Sequence, residues 1–209
     1  MNFEILAPAG SPEALIAGVR SGANAVYLGG KAFNARSNAG NFNDEELNNA
    51  VEYCHQRNVK VYLTVNTLID DGEMLSAYNL VKYALSIGID GFIVQDLGLA
   101  SVIHKHFPKA RLHASTQTSV MSVQGVLALE KIGFSRVVLP REMSIDEIKE
   151  ISDNTNAELE IFVHGALCMS VSGQCYLSAM LGSRSGNRGK CAQPCRLPFS
   201  ADNSGSHDL

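Results

Sequence analysis

No apolar run in this 209-residue sequence approaches the length of a membrane span, and the start Met1-Asn2-Phe3-Glu4 lacks the basic-then-apolar pattern of a secretory signal. A cytoplasmic protein with reduced thiols is therefore expected. There is no His-Glu-x-x-His helix to hold a peptidase zinc and no Gly-x-Ser-x-Gly elbow to present a serine nucleophile. Paired Cys-x2-Cys or Cys-x4-Cys knuckles, the usual form of a structural zinc site, are missing too. Acidic residues vanish locally: no Asp or Glu lies between Ile161 and Ala201, a stretch that holds Arg184, Arg188, Lys190 and Arg196. Against a total charge of −4, that stretch carries +4 and the remainder −8. The sum argues against a basic surface over the whole protein, whereas the stretch can attract anions locally, or can simply be a basic Gly/Ser-rich loop.

Hydrophobic residues make up 45% of the chain and charged residues 18%, ordinary values for one globular α/β core. Seven short apolar runs recur: Phe3–Ala7, Ala25–Gly29, Val59–Asn66, Gly91–Gln95, Arg111–Ser115, Arg136–Leu139 and Leu159–His164. Their starts lie on average about 26 residues apart, the length of a βα unit. Helix punctuation falls between them. Ser11-Pro12 opens one helix and Gly22 ends it; Asn43 or Asp44 opens the next, with Leu47, Val51 and Cys54 on one stripe. A third helix runs from about Glu73 to Ile87 and stops at Gly88, and Ser144 with Glu147 forms a capping-box pattern.

Side-chain parity separates the possible parallel sheets. Val59, Val61, Leu63 and Val65 alternate with Lys60, Tyr62, Thr64 and Asn66; Leu159, Ile161 and Val163 alternate with Glu160, Phe162 and His164. A doubly wound sheet is aliphatic on both faces, but here one face turns polar toward the strand ends. That favours a (β/α) TIM-barrel-like fold with its site at the C-terminal rim. Seven strands leave such a barrel incomplete. The expected division is a barrel domain over 1–165 and a cysteine-rich metal-binding segment over 166–209. Residues that follow strands, Asn66, Gln95, Gln117, Arg141 and His164, become candidates for a rim site, although any one of them alone can equally serve a helix cap or a loop.

Cysteines are concentrated after the seventh run. Cys168, Cys175, Cys191 and Cys195 follow the spacing Cys-x6-Cys-x15-Cys-x3-Cys within glycine-rich sequence. Four thiols so close suit a soft metal centre, either zinc or a [4Fe–4S] cluster, and the spacing alone does not choose. Cys54, on its helical stripe, reads as a core residue instead. A catalytic cysteine assisted by His164, four residues before Cys168, is conceivable, yet one nucleophile does not need four cysteines.

The run containing Glu160, Phe162, Gly165, Ala166, Leu167, Cys168, Gly173, Cys175, Leu177 and Ser178 resembles the signature of the U32 peptidase family. Leu6-Ala7-Pro8-Ala9-Gly10 and Tyr27-Leu28-Gly29-Gly30-Lys31-Ala32-Phe33 resemble the start of that family. The family takes its name from a collagenase-like protease, but other members are oxygen-independent hydroxylation factors carrying a [4Fe–4S] cluster. These act on tRNA, on large-subunit rRNA or on the ubiquinone ring. The run Gly189 to Pro198 looks most like the rRNA branch.

The resemblance implies an RNA partner (rRNA or tRNA), a prephenate-like carboxylate co-substrate, and Cys168, Cys175 and Cys191 as cluster ligands. The fourth ligand would be Cys195 or a residue beyond Leu209, in which case the chain is a piece of a longer protein. In this reading Arg141 anchors the carboxylate, with Asn66, Gln95 and Gln117 beside it, and His164 moves a proton. The alternatives are a peptidase and a non-catalytic, zinc-stabilised RNA-binding module. An open barrel edge also predicts either a homodimer across the gap or further chain to fill it.

Overall fold

A computed structural model describes residues 3–37 and 39–198. Strands and helices alternate: β1 (Leu6–Ala9), α1 (Pro12–Arg20), β2 (Ala25–Gly29), α2 (Asp44–His55), β3 (Lys60–Val65), α3 (Met74–Ser86), β4 (Gly91–Val94) and α4 (Leu97–His106). Next come β5 (Leu112–Ala114), α5 (Val123–Ile132), β6 (Phe134–Val138), α6 (Ile145–Asn154), β7 (Glu158–Glu160) and a short α7 (Leu177–Gly182). All seven strands pair in parallel and in chain order, from β1 to β7. The sheet curls into an open TIM-like barrel.

The helix signals in the sequence act as expected. Ser11 caps α1 by accepting from the Ala14 N–H, with Pro12 in the first turn. Asn43 with Glu46, and Ser144 with Glu147, form reciprocal capping boxes at α2 and α6. Parity also holds. Val61, Leu63 and Val65 join the layer between sheet and helices, where Cys54 of α2 is fully buried. Tyr62 faces inward with Ala25 and Ile93, against Leu6 and Tyr27. Burial raises the Cys54 thiol pKa to about 11, so this sulfur is an inert core atom.

Two strand ends differ from expectation. The ladder of β1 begins at Leu6, because the Ile5 N–H is taken by the Asn24 side chain (2.8 Å) and Phe3 is exposed. At the other flank β7 stops at Glu160, so His164 is not a strand residue. The cause lies in the partner: Leu139 N–H still reaches the Glu160 carbonyl (2.8 Å), but β6 then turns away at Pro140, whose carbonyl accepts from Met143. With no neighbour to pair, Ile161, Phe162 and Val163 run on exposed.

Inside the barrel, charge replaces the usual apolar filling. Arg136 of β6, only 9% exposed, donates to Glu4 (2.8 Å) and to Glu158 (2.9 and 2.6 Å), with Glu160 at 3.4 Å. Glu4 also accepts from Lys60 and from the Tyr62 hydroxyl, at 2.7 and 2.8 Å. The Glu4–Arg136 bond joins residues 132 positions apart, so it ties the segment before β1 to the far side of the open sheet. Burial opposes ionisation of Glu4, but its bonds from Lys60, Arg136 and Tyr62 prevail and bring its pKa down to about 2.

Candidate metal and substrate site

Residues 161–198 fold back across the C-terminal mouth of the barrel and enclose a cavity of about 600 Å³. Two glycines allow the close approach. Gly173 has φ +80° and lies against the Gln117 carbonyl after β5, where any Cβ would collide. Gly189, at φ +73°, lies against the Asn34 carbonyl in the loop after β2 in the same way. Hydrogen bonds fasten the same places. Ser119 donates to the Ser172 carbonyl (2.6 Å), and Ser37 to that of Gly189 (2.6 Å). Glu142 accepts from the backbone N–H and hydroxyl of Ser172. Arg188 grips both oxygens of Glu73 at 2.7 Å and the Leu68 carbonyl at 2.8 Å.

Cys168, Cys175, Cys191 and Cys195 all border this one cavity as free thiols. Cys168 and Cys191 are exposed and the other two half-buried. Among the described residues, however, no three His, Cys, Asp or Glu stand close enough to ligate one ion. Loading would therefore require the cysteine segment to draw inward.

The rim candidates divide. Asn66, Gln117 and Arg141 line the cavity with the cysteines. The Asn66 Oδ1 already accepts from the Ala35 N–H (2.9 Å), so much of its work is to hold the loop after β2. Arg141 stacks over the Phe162 ring, 3.9 Å from its centroid, and no ion pair among the described residues involves it. A positioned, unpaired guanidinium in a cavity wall is suited to a carboxylate or phosphate. Gln95 is buried beneath the mouth and does not border the cavity; its Nε2 reaches the Gln117 carbonyl at 3.4 Å, and its Oε1 is buried without a partner, as is that of Gln117. His164 is exposed and also lies off the cavity wall.

Glu160 is the residue that sequence reasoning left out of the site. It projects inward from the end of β7, lines the cavity with Arg141 and Phe162, and is 16% exposed. Burial raises its pKa, a shift that the Arg136 charge only partly offsets. The alternation along the seventh run already placed Glu160 on the inward parity, so the signal was present. The basic stretch also changes on folding. Arg188 is neutralised by Glu73 and Asp70, which leaves Arg184, Lys190 and Arg196 of the stretch exposed, while Arg36, also exposed, lines the cavity.

Comparisons with known proteins follow the same lines. The model of peptidase family U32 matches residues 10–208. The 23S rRNA 5-hydroxycytidine C2501 synthase of Escherichia coli (strain K12) is 40% identical over 198 residues, covering 95% of this chain and 30% of that protein. The tRNA hydroxylation protein P1 of Bacillus subtilis (strain 168) is 38% identical over 196 residues, covering 94% of this chain and 46% of that protein. This chain thus spans less than half the length of either relative. Among solved structures, the U32 peptidase Mk0906 superposes with a TM-score of 0.64 at 14% identity, over 77% of this chain and 68% of that one, a likeness of fold.

Proposed function

This chain belongs to peptidase family U32, and we propose that it forms the site-bearing part of an RNA hydroxylation factor, with its four clustered cysteines holding an iron–sulfur cluster. One observation carries the reading: four free thiols and an unpaired arginine border one cavity at the C-terminal mouth of a barrel, where barrel enzymes place their chemistry. The relatives named for rRNA and tRNA hydroxylation supply the substrate class. The exposed cations Arg36, Arg184, Lys190 and Arg196 would draw a phosphate backbone toward the mouth.

A cluster held by Cys168, Cys175, Cys191 and Cys195 would supply one-electron chemistry. The remaining roles fall to the chain's own groups. Arg141, held flat on Phe162, would take a carboxylate of a prephenate-like co-substrate in bidentate fashion, and Gln117 would hydrogen-bond the same molecule. The cysteine segment lies across the mouth and would limit access of water. A cysteine peptidase would pair Cys168 with a base, but His164, the nearest histidine in sequence, does not border the cavity.

The test combines anaerobic purification with nucleoside analysis. Iron, sulfide and a broad visible absorption are expected from the purified protein; zinc without sulfide would favour a structural metal module. In cells lacking the gene, the wild type should restore a hydroxylated nucleoside in rRNA or tRNA. Arg141→Ala should keep its iron yet lose modification, because removing a charged hydrogen-bonding partner costs about 1.5–3 kcal/mol, a factor of about 10 to 150 in co-substrate binding. Equal modification by both proteins would remove Arg141 from the site. Peptide cleavage that survives purification and disappears with Cys168→Ser would replace the hydroxylation reading with a peptidase.

A further inference from the structure

Three carboxylates converge on the single guanidinium of Arg136, and they are not served alike. Glu4 has Arg136 at 2.8 Å, Lys60 at 2.7 Å and the Tyr62 hydroxyl at 2.8 Å. Glu158 has two bonds from Arg136, at 2.9 and 2.6 Å, and a third from Arg111 at 2.6 Å. Glu160 receives one long contact, 3.4 Å, from the same Nη1 that is already committed to Glu4. The ring of His113, which feels the charges of Arg136, Glu158 and Glu4, is wholly buried, and burial drives its pKa down. Glu160 alone of the three borders the cavity, on the wall shared with Arg141 and Phe162.

We infer that Glu160 is the proton-transferring group of this cavity, exchanging a proton with the molecule that Arg141 anchors. The inference rests on the functional reading above and adds to it the residue that handles the proton. The charged groups that act on Glu160 are Arg136 of β6 and Glu4 before β1, with Arg141 on the same cavity wall. Behind them Lys60 and Tyr62 of β3 bond to Glu4, Glu158 of β7 pairs with Arg111 and with Arg136, and His113 of β5 lies under the charges of Arg136, Arg111, Glu158 and Glu4. They form an asymmetric surround, with firm bonds behind Glu4 and Glu158 and a cation behind Glu160 that is near enough to respond. When Glu160 acts as an acid, its O–H bond breaks, the proton bonds to an oxygen or nitrogen of the anchored molecule, and the carboxylate charge is taken up by Arg136. The reverse transfer restores the acid. Burial raises the Glu160 pKa against the partial offset from Arg136, a shift in the direction that suits a group exchanging protons.

Two measurements on the full-length, cluster-loaded protein test this. The first is an infrared titration of carboxyl groups, which needs no substrate. A protonated carboxyl that persists above the ordinary glutamic acid range should appear in the wild type and be missing from Glu160→Gln. The second is RNA modification as a function of pH. Glu160→Gln should lower turnover about 10²–10⁴-fold while leaving iron content unchanged, and should abolish the limb that falls about tenfold per pH unit above the Glu160 titration. Glu160→Asp, which keeps the acid but withdraws it, should retain partial turnover with a displaced limb; it also serves if the glutamine variant folds poorly. Full turnover in Glu160→Gln, or an infrared titration in which the band belongs to another residue, would overturn the proposal. If the wild type modifies no RNA, the hydroxylation reading falls, and the infrared titration still decides whether Glu160 holds the proton.

Discussion

His113 should make this fold lose stability in mild acid, by an amount the structure allows to be worked out. Its ring is fully buried, edge-on to Tyr62 with centroids 4.5 Å apart, and neither ring nitrogen has a hydrogen-bonding partner. Burial, aided by the charges of Arg136 and Arg111, brings its pKa from 6.5 down to about 3. A folded-state pKa below the unfolded one means that stability is complete above pH 6.5. Below that pH the unfolded chain takes up a proton that the native state refuses until about pH 3. Each pH unit well inside that window costs about 1.36 kcal/mol, so by about pH 4.5 the loss from the high-pH plateau is about 2.7 kcal/mol. Glu4, whose pKa moves from 4.5 to about 2, adds its own loss only below pH 4.5. Glu160 works in the opposite sense, because its raised pKa stabilises the fold as pH falls, but it does so equally in wild type and variant.

The informative variant is His113→Leu, close to the same volume without the nitrogens. At neutral pH it recovers about 1–3 kcal/mol for two unpartnered ring atoms and forfeits about 0.5–1.5 kcal/mol of contact with Tyr62, so it should be no less stable than the wild type. Urea unfolding at pH 7 and at pH 5 should show the wild type losing about 2 kcal/mol more than the variant over that interval. Parallel curves for the two proteins would refute the reasoning and show that His113 has a proton-sharing partner.

Gly189→Ala should loosen the cysteine segment, since a Cβ at φ +73° meets the Asn34 carbonyl; a left-handed residue with that collision costs about 1–3 kcal/mol. Amide exchange across residues 186–195 should quicken while the strands stay protected, and unchanged exchange there would mean that this seat is not tight. Cys195→Ser should lower the iron content, whereas Cys54→Ala should leave it intact and cost about 1–2 kcal/mol of core packing. Full iron in Cys195→Ser would show that Cys195 is not needed as a ligand.

Repeating βα units, capping residues and side-chain parity were legible in the chain because each depends on local chemistry. Ser11, Asn43 and Ser144 bond to N–H groups three residues away, and Tyr62 must face opposite Leu63 on any strand. The four clustered cysteines were equally visible, as was the core role of Cys54 on its helical stripe.

Long-range pairing had to decide the rest. Whether β7 reaches His164 depends on where β6 turns away, and that removed His164 from the candidate site. Whether Arg188 contributes to a basic patch depends on Glu73, 115 residues earlier in the chain. The proton-transfer candidate emerged in the same way: Glu160 was one acidic residue among many until Arg136, shared with Glu4 and Glu158, left it the least compensated and the fold set it alone of the three in the cavity wall. Alternation along a strand fixes the side of the sheet a side chain takes, but which charges meet there depends on how distant segments close the barrel.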